Sequence, residues 1–224
     1  MAGDSSQGRP LLLGHRGARA IRSIPENSFA SFDRALSDGC AGFEFDVRLT
    51  ANAEAIVCHD PKVGRIVIAQ STRQQLASLC SLKDVLHRYQ NSAFLDIELK
   101  TTGLERITID LLRAHSPRRG CVVSSFFPEI LRAVHSEDSS IPLGLICDRR
   151  EELILWKTLP VGFVIPHHTL ARARLLDELK AAGKKVLVWT VNDRERMLQL
   201  RDLGADGIIS DDPKLLSETL GRDS

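Results

Sequence analysis

The chain has no apolar run near the roughly 20 residues that a transmembrane helix needs, so it is not expected to span a membrane. Its first ten residues are polar and contain no apolar stretch behind a basic start, which argues against a secretory signal and for a cytoplasmic location. A surplus of either charge is also missing. With 30 Lys and Arg against 29 Asp and Glu the formal charge is +1, so no global field recruits nucleic acid, and any anion must be bound locally. The five cysteines, Cys40, Cys58, Cys80, Cys121 and Cys147, form no Cys-x-x-Cys pair, which argues against a zinc knuckle or redox dithiol and suggests buried reduced thiols. Internal repeats, low-complexity tracts and Pro/Ser-rich linkers are absent too, so the 224 residues read as a polar tail over 1–10 and one domain over 11–220.

Short runs rich in Val, Ile, Leu and Phe alternate with longer segments of helical periodicity, the pattern of βαβ units around a parallel sheet. Strands are expected at 11–15, 42–47, 94–99, 121–125, 142–147, 161–165, 185–190 and 206–210. Helices are expected at 28–37, 82–89, 104–114, 128–134, 151–157, 170–182, 193–203 and 213–220. Eight strands alternating with helices predict an α/β fold, a closed (β/α)8 TIM barrel in a compact single-domain version without a large insertion. One extra extended segment, Ala55 to Asp60, interrupts the rhythm after the second strand, and the poorly periodic stretch 61–78 is expected to cover the open end.

Barrels of this kind carry chemistry at the C-terminal ends of their strands. Those ends hold His15, Arg16 and Gly17; Glu44 and Asp46; Glu98 and Lys100; and Trp189 and Thr190, while the extra segment ends in His59 and Asp60. Glu44 and Asp46 are two apart on a strand and share its inner face, where Glu98 on the next strand can join them. Three facing carboxylates suit an oxygen-ligated Mg2+ or Ca2+; the competing reading is a structural ion network with Arg48, Lys100 or another base. His15 and His59 approach the same mouth from different segments, as an acid–base pair would, although a single histidine at a strand end is more often structural. Arg16 and Lys100 have the chemistry to hold a phosphoryl group. Asn27 or Ser28 can cap the first helix, with Glu26 and Asn27 also placed to orient a catalytic group, and Trp189 either lines a pocket or fills core. His115, His135, His167 and His168 read as surface or capping residues, and Gly204 to Gly207 as a turn at the bottom of the barrel.

These residues fall in a recognisable series: His15-Arg16-Gly17, Pro25-Glu26-Asn27-Ser28, Glu44-Phe45-Asp46-Val47, His59-Asp60, Ile97-Glu98-Leu99-Lys100, Ser125-Phe126, Trp189-Thr190-Val191-Asn192 and Gly207-Ile208-Ile209-Ser210-Asp211. In that order, from about Leu11 to Leu220, the series resembles the glycerophosphodiester phosphodiesterase family. The resemblance implies a metal-dependent barrel enzyme that cleaves glycerophosphodiesters to glycerol phosphate and an alcohol. By that resemblance Glu44, Asp46 and Glu98 are the metal ligands, and His15 and His59 the acid–base pair, with His15 as base and His59 as acid or the reverse. Arg16 and Lys100 would hold the phosphate, Glu26 would support the metal region, and Trp189 would line the glycerol side.

The chain departs from the family at Thr50 to Glu54, where a Lys-Asp-Gly turn is usual, and in the short loop beyond His59, which lacks the usual threonine pair past Arg65. These departures leave the proposed catalytic groups intact and bear on the leaving-group side of the pocket. Competing readings are a phosphosugar isomerase or lyase on the same fold, a phosphodiesterase for lysophospholipids, and a catalytically silent barrel that binds a phosphate-bearing ligand.

Overall fold

The computed structural model describes residues 9–221, so most of the tail expected over 1–10 lies outside the described residues. These residues form eleven strands: β1 (Leu11–His15), β2 (Gly42–Leu49), β3 (Ala55–Val57), β4 (Lys62–Val63), β5 (Ile66–Val67), β6 (Phe94–Leu99), β7 (Cys121–Ser125), β8 (Leu143–Cys147), β9 (Phe163–Pro166), β10 (Lys185–Val188) and β11 (Gly207–Ser210). All but β3, β4 and β5 pair in parallel in chain order, and β1 pairs with both β2 and β11, which closes the barrel. The expected (β/α)8 TIM barrel is therefore the fold.

Among the described residues eight α-helices pack outside: α1 (Phe29–Ser37), α2 (Leu82–Tyr89), α3 (Glu105–Ala114), α4 (Pro128–Glu137), α5 (Arg150–Leu153), α6 (Ala173–Ala181), α7 (Arg194–Asp202) and α8 (Pro213–Leu220). Their starts follow local chemistry. Ser28, Ser81, Asp193 and Asp212 each accept a backbone N–H of the first turn, and Pro128 and Pro213 open helices where their missing N–H costs nothing. The fifth helix is shorter than its periodicity suggests, one α turn continued by a 3-10 turn over Ile154–Lys157. At the bottom of the barrel Gly204 takes φ 78° and the Asp206 carboxylate accepts the Val186 N–H at 2.8 Å, so the expected turn is there.

Inside the barrel, Leu13, Val122, Ile146, Ile165, Leu187 and Ile209 form an apolar plug. Two larger clusters fill the layer between strands and helices, one centred on Phe32, Phe43 and Phe45 and the other on Val164, Leu176 and Met197. β3 runs antiparallel to the far end of β2, with Val57 opposite Val47. None of the residues 61–78 lines the cavity at the open end. The stretch forms the β4–β5 hairpin and two 3-10 turns, and Ile68 and Leu76 bury themselves against Ile56 of β3. Among the described residues no helix is long and apolar enough to cross a membrane.

Candidate active site

The C-terminal mouth of the barrel opens on a cavity of about 120 Å3, lined by His15, Arg16, Glu44, His59, Asp96, Glu98, Lys100, Phe126 and Trp189, with Ile146, Ile165 and Ile209 as its floor. The strand registers explain the convergence. Asp46 stands opposite Glu98 and Glu44 opposite Asp96 across the β2–β6 pair, while His15 stands opposite Glu44 across β1–β2. With a side-chain period of two, all five point inward in two tiers.

Carboxylate oxygens of Glu44, Asp46 and Glu98 lie within 4.8 Å of one another, and all three residues are buried. Two cations partly neutralise them. Lys100 Nζ is 2.8 Å from Glu98 Oε1 and 3.3 Å from Asp46 Oδ1, and Arg16 Nε is 3.3 Å from Asp46 Oδ2. Asn27 makes a reciprocal pair with Asp46, donating from Nδ2 at 2.9 Å and accepting its backbone N–H at 3.3 Å. Arg48, a candidate partner for these acids, instead donates to the His59 carbonyl at 2.7 Å and holds the loop. The Arg16 N–H donates to Glu44 Oε2 at 3.0 Å, yet Glu44 Oε1 is buried with no hydrogen-bond partner among the described residues. An ion network alone therefore leaves the cluster incomplete, and a hard dication suits an all-oxygen set with an orphaned acceptor.

Burial first, and then mutual repulsion, acts on the protonation of the acids. Burial, then Asp46, pushes Glu98 up to about 8, and burial followed by Asp46 and Glu98 raises Glu44 well above the usual range. Asp46 is the exception: burial opposes its charge, but Lys100, Arg16 and the Asn27 amide outweigh it and hold the carboxyl below its ordinary value. Asp96, one tier deeper, is pushed to about 7 by burial while Ser124 Oγ donates to it at 2.6 Å.

His15 and His59 flank this cluster. His15 is 8% exposed, with Nδ1 2.6 Å from Asp211 Oδ1 and Nε2 3.8 Å from Glu44 Oε2. The His59 Nδ1 lies 2.8 Å from Asp60, whose side chain is 74% exposed, and burial lowers the His59 pKa despite Asp46 and Asp60. Glu26 carries two arginines, accepting from Arg16 and Arg19 at 2.9 Å each. Trp189 lies just beyond the end of β10, which stops at Val188 rather than at 190; its Nε1 donates to the Ile165 carbonyl, and its ring meets Phe126 edge-on at 5.6 Å. Ser28, not Asn27, caps α1. His115 caps the end of α3, His135 lies in the last turn of α4, and His167 packs its ring against Trp189.

All ten residues expected at the site meet at one end of the barrel. Asp96, Phe126 and Asp211 were given no role from the sequence, although the position of Asp96, two before Glu98 on one strand, already placed it on the inner face.

The barrel thus gathers three buried acids, two histidines and the cations Arg16 and Lys100 at its mouth. The sequence matches the model of the glycerophosphoryl diester phosphodiesterase family over residues 15–98 and 97–215, and the chain belongs to that family of phosphodiesterases. A glycerophosphodiester phosphodiesterase from Caldanaerobacter subterraneus subsp. tengcongensis is 27% identical over 93% of this chain and 96% of its own. Among solved structures, a putative glycerophosphoryl diester phosphodiesterase from Silicibacter pomeroyi superposes with a TM-score of 0.86 at 19% identity, over 95% of this chain and 93% of that one. A phosphodiesterase from Oleispira antarctica, solved with the product sn-glycerol-3-phosphate, superposes at 0.84 with 24% identity, over 96% and 98%.

Proposed function

We propose that residues 11–220 form a divalent-metal-dependent phosphodiesterase acting in the cytoplasm, which hydrolyses small glycerophosphodiesters to glycerol phosphate and an alcohol. One observation carries this reading: the cluster of Glu44, Asp46 and Glu98, in which Glu44 Oε1 and Asp46 Oδ1 are buried without a hydrogen-bond partner among the described residues, lies beside two histidines, His15 from β1 and His59 from the loop after β3. The three acids would hold Mg2+ or Ca2+, which supplies charge stabilisation at the phosphoryl oxygens and makes a nearby hydroxyl more acidic.

Around it, Arg16 and Lys100 bind phosphoryl oxygens, and Glu26 and Asn27 keep Arg16 and Asp46 in place. Trp189 lines the glycerol side. His15 takes the proton of the attacking hydroxyl and His59 delivers one to the leaving alcohol. The attacking group is the substrate's own glycerol 2-hydroxyl, because an intramolecular attack gains most from positioning, and the cyclic phosphate so formed is then opened by water.

The test is turnover of a panel of glycerophosphodiesters and one lysophospholipid, with and without chelator, by native protein and by Glu44→Gln. Loss of turnover on chelation and in the variant is the expected result. Full activity of either sinks the metal assignment, and turnover confined to the lysophospholipid replaces the substrate class. A substrate lacking the 2-hydroxyl separates the routes, since only direct attack by water still cleaves it.

A further inference from the structure

Asp211 follows the last barrel strand, and we propose that it is a positioning residue, fixing His15 with its proton on Nδ1 and leaving Nε2 as the nitrogen that serves as general base. This rests on the phosphodiesterase reading above, and it decides which of the two histidines takes the first proton.

Four contacts converge on this carboxylate and every other partner is a donor. Its Oδ1 lies 2.6 Å from His15 Nδ1 and 3.2 Å from Arg19 NH1; its Oδ2 accepts from Asn192 Nδ2 at 2.7 Å and from Arg19 NH1 at 3.2 Å. A group surrounded by donors is an ionised acceptor, so the hydrogen in the His15 contact belongs to the imidazole. Burial would raise Asp211, but His15, Asn192 and Arg19 outweigh it and hold it at about 2, which agrees with the donor count.

Asn192 cannot turn to suit a different partner. Its Oδ1 accepts the Asp211 backbone N–H at 2.9 Å and the Ser210 hydroxyl at 3.0 Å, so its amide is locked with the NH2 toward Asp211. With Nδ1 occupied, the free Nε2 of His15 faces the cavity on the side of Glu44. His59 has no comparable support. Its partner Asp60 is its chain neighbour and mostly exposed, so that contact exchanges with water and neither fixes a tautomer nor favours the charged ring to the same degree. A base must hold a proton through the step, and the buried carboxylate behind His15 stabilises that charge.

Asp211→Asn tests the assignment because the amide cannot satisfy the same partners. Turned with its oxygen to His15, its NH2 meets the locked Asn192 NH2; turned the other way, it donates to Nδ1 and drives the ring proton to Nε2. The expected result is a shift of His15 to the Nε2–H tautomer in 15N-edited NMR of the imidazole, a fall in kcat of roughly 10²–10⁴, KM within a few-fold, and unchanged Ca2+ affinity. Asn192→Ala, which frees one side of Asp211 without touching the histidine, is expected to lower kcat in the same direction by a smaller factor. Native protein with His15 protonated on Nε2, or Asp211→Asn with native kcat, overturns the proposal; so does a loss of turnover that merely follows lost Ca2+ binding or unfolding. If the native protein cleaves no glycerophosphodiester, the functional reading fails while the tautomer measurement still judges Asp211.

Discussion

Metal binding is expected to expel protons from the site, and their number sets how affinity depends on pH. Glu98 is pushed up to about 8 by burial and by Asp46, against the pull of Lys100. At pH 7 about nine molecules in ten therefore carry a proton there that an incoming dication must displace. The cost at pH 7 is about 1.4 kcal/mol, so apparent affinity is about tenfold weaker than at pH 9 and above. Glu44, also raised, by burial and then by Asp46 and Glu98, adds to the same dependence. Stability follows with the opposite sign. A carboxyl whose folded pKa is about 8 against an ordinary 4.5 contributes stability that is complete below 4.5 and lost as pH rises through 8, an upper bound of about 5 kcal/mol for Glu98. The metal-free protein should therefore melt at lower temperature as pH is raised from 5 to 9, and bound metal should remove most of that loss. Calorimetric titration with Mg2+ or Ca2+ in two buffers of unlike ionisation heat counts the protons directly. Equal heats in both buffers at pH 7, with an affinity flat between pH 6 and 9, would refute the reasoning.

Gly42→Ala should cost more than about 3 kcal/mol in denaturant unfolding, because a Cβ there would lie 1.9 Å from the Phe94 carbonyl oxygen and strand backbone cannot give way; a change under about 1 kcal/mol contradicts the close β2–β6 approach. Asn27→Gly keeps the positive φ but deletes the amide that orients Asp46, and metal titration should report affinity roughly 10–100-fold weaker with the fold retained. Cys40 and Cys147, whose thiols burial pushes up to about 12, should escape alkylation by iodoacetamide at pH 8 and react only after denaturation, as mass spectrometry can follow.

The barrel was legible because its cues are periodic: apolar strands, capped helices and two-residue spacing of acids are properties of short windows. Loop form was harder to read. Residues 61–78 lack a period, and their packing rests on burial of Ile68 and Leu76 against Ile56, which lies on an added strand with no counterpart in the repeating pattern. Trp189 was assigned to a strand that ends one residue earlier, because Val186 to Val188 and Trp189 all favour extended backbone and nothing local marks the boundary. The histidines and the clustered acids could be named from the ends of strands and of the added segment, but the partners that orient them could not. Asp211 lies 196 residues from His15, and the closure of β1 on β11 brings them together.

That closure also explains how an electrostatically poor arrangement persists. Arg16 and Asn27 both sit in the left-handed region, at φ 52° and 56°, which costs of order 1 kcal/mol or more for each residue other than glycine. The conformation of Arg16 sends its N–H to Glu44 and its guanidinium to Asp46 and Glu26. Its carbonyl is turned outward to accept from the Asn27 N–H and the Ser31 hydroxyl. Add the repulsion among Glu44, Asp46 and Glu98, and the mouth is held against its own preferences. What holds it is the layer below, where the apolar plug and the paired strands fix the β1, β2 and β6 backbones before any site residue is considered. The acids cannot move apart without breaking the strand register, so their repulsion can be relieved in place only by protons, Lys100 and Arg16, or a bound dication. A site built this way would keep its negative charge concentrated for a cation, whereas a set of acids free to separate would spread into solvent.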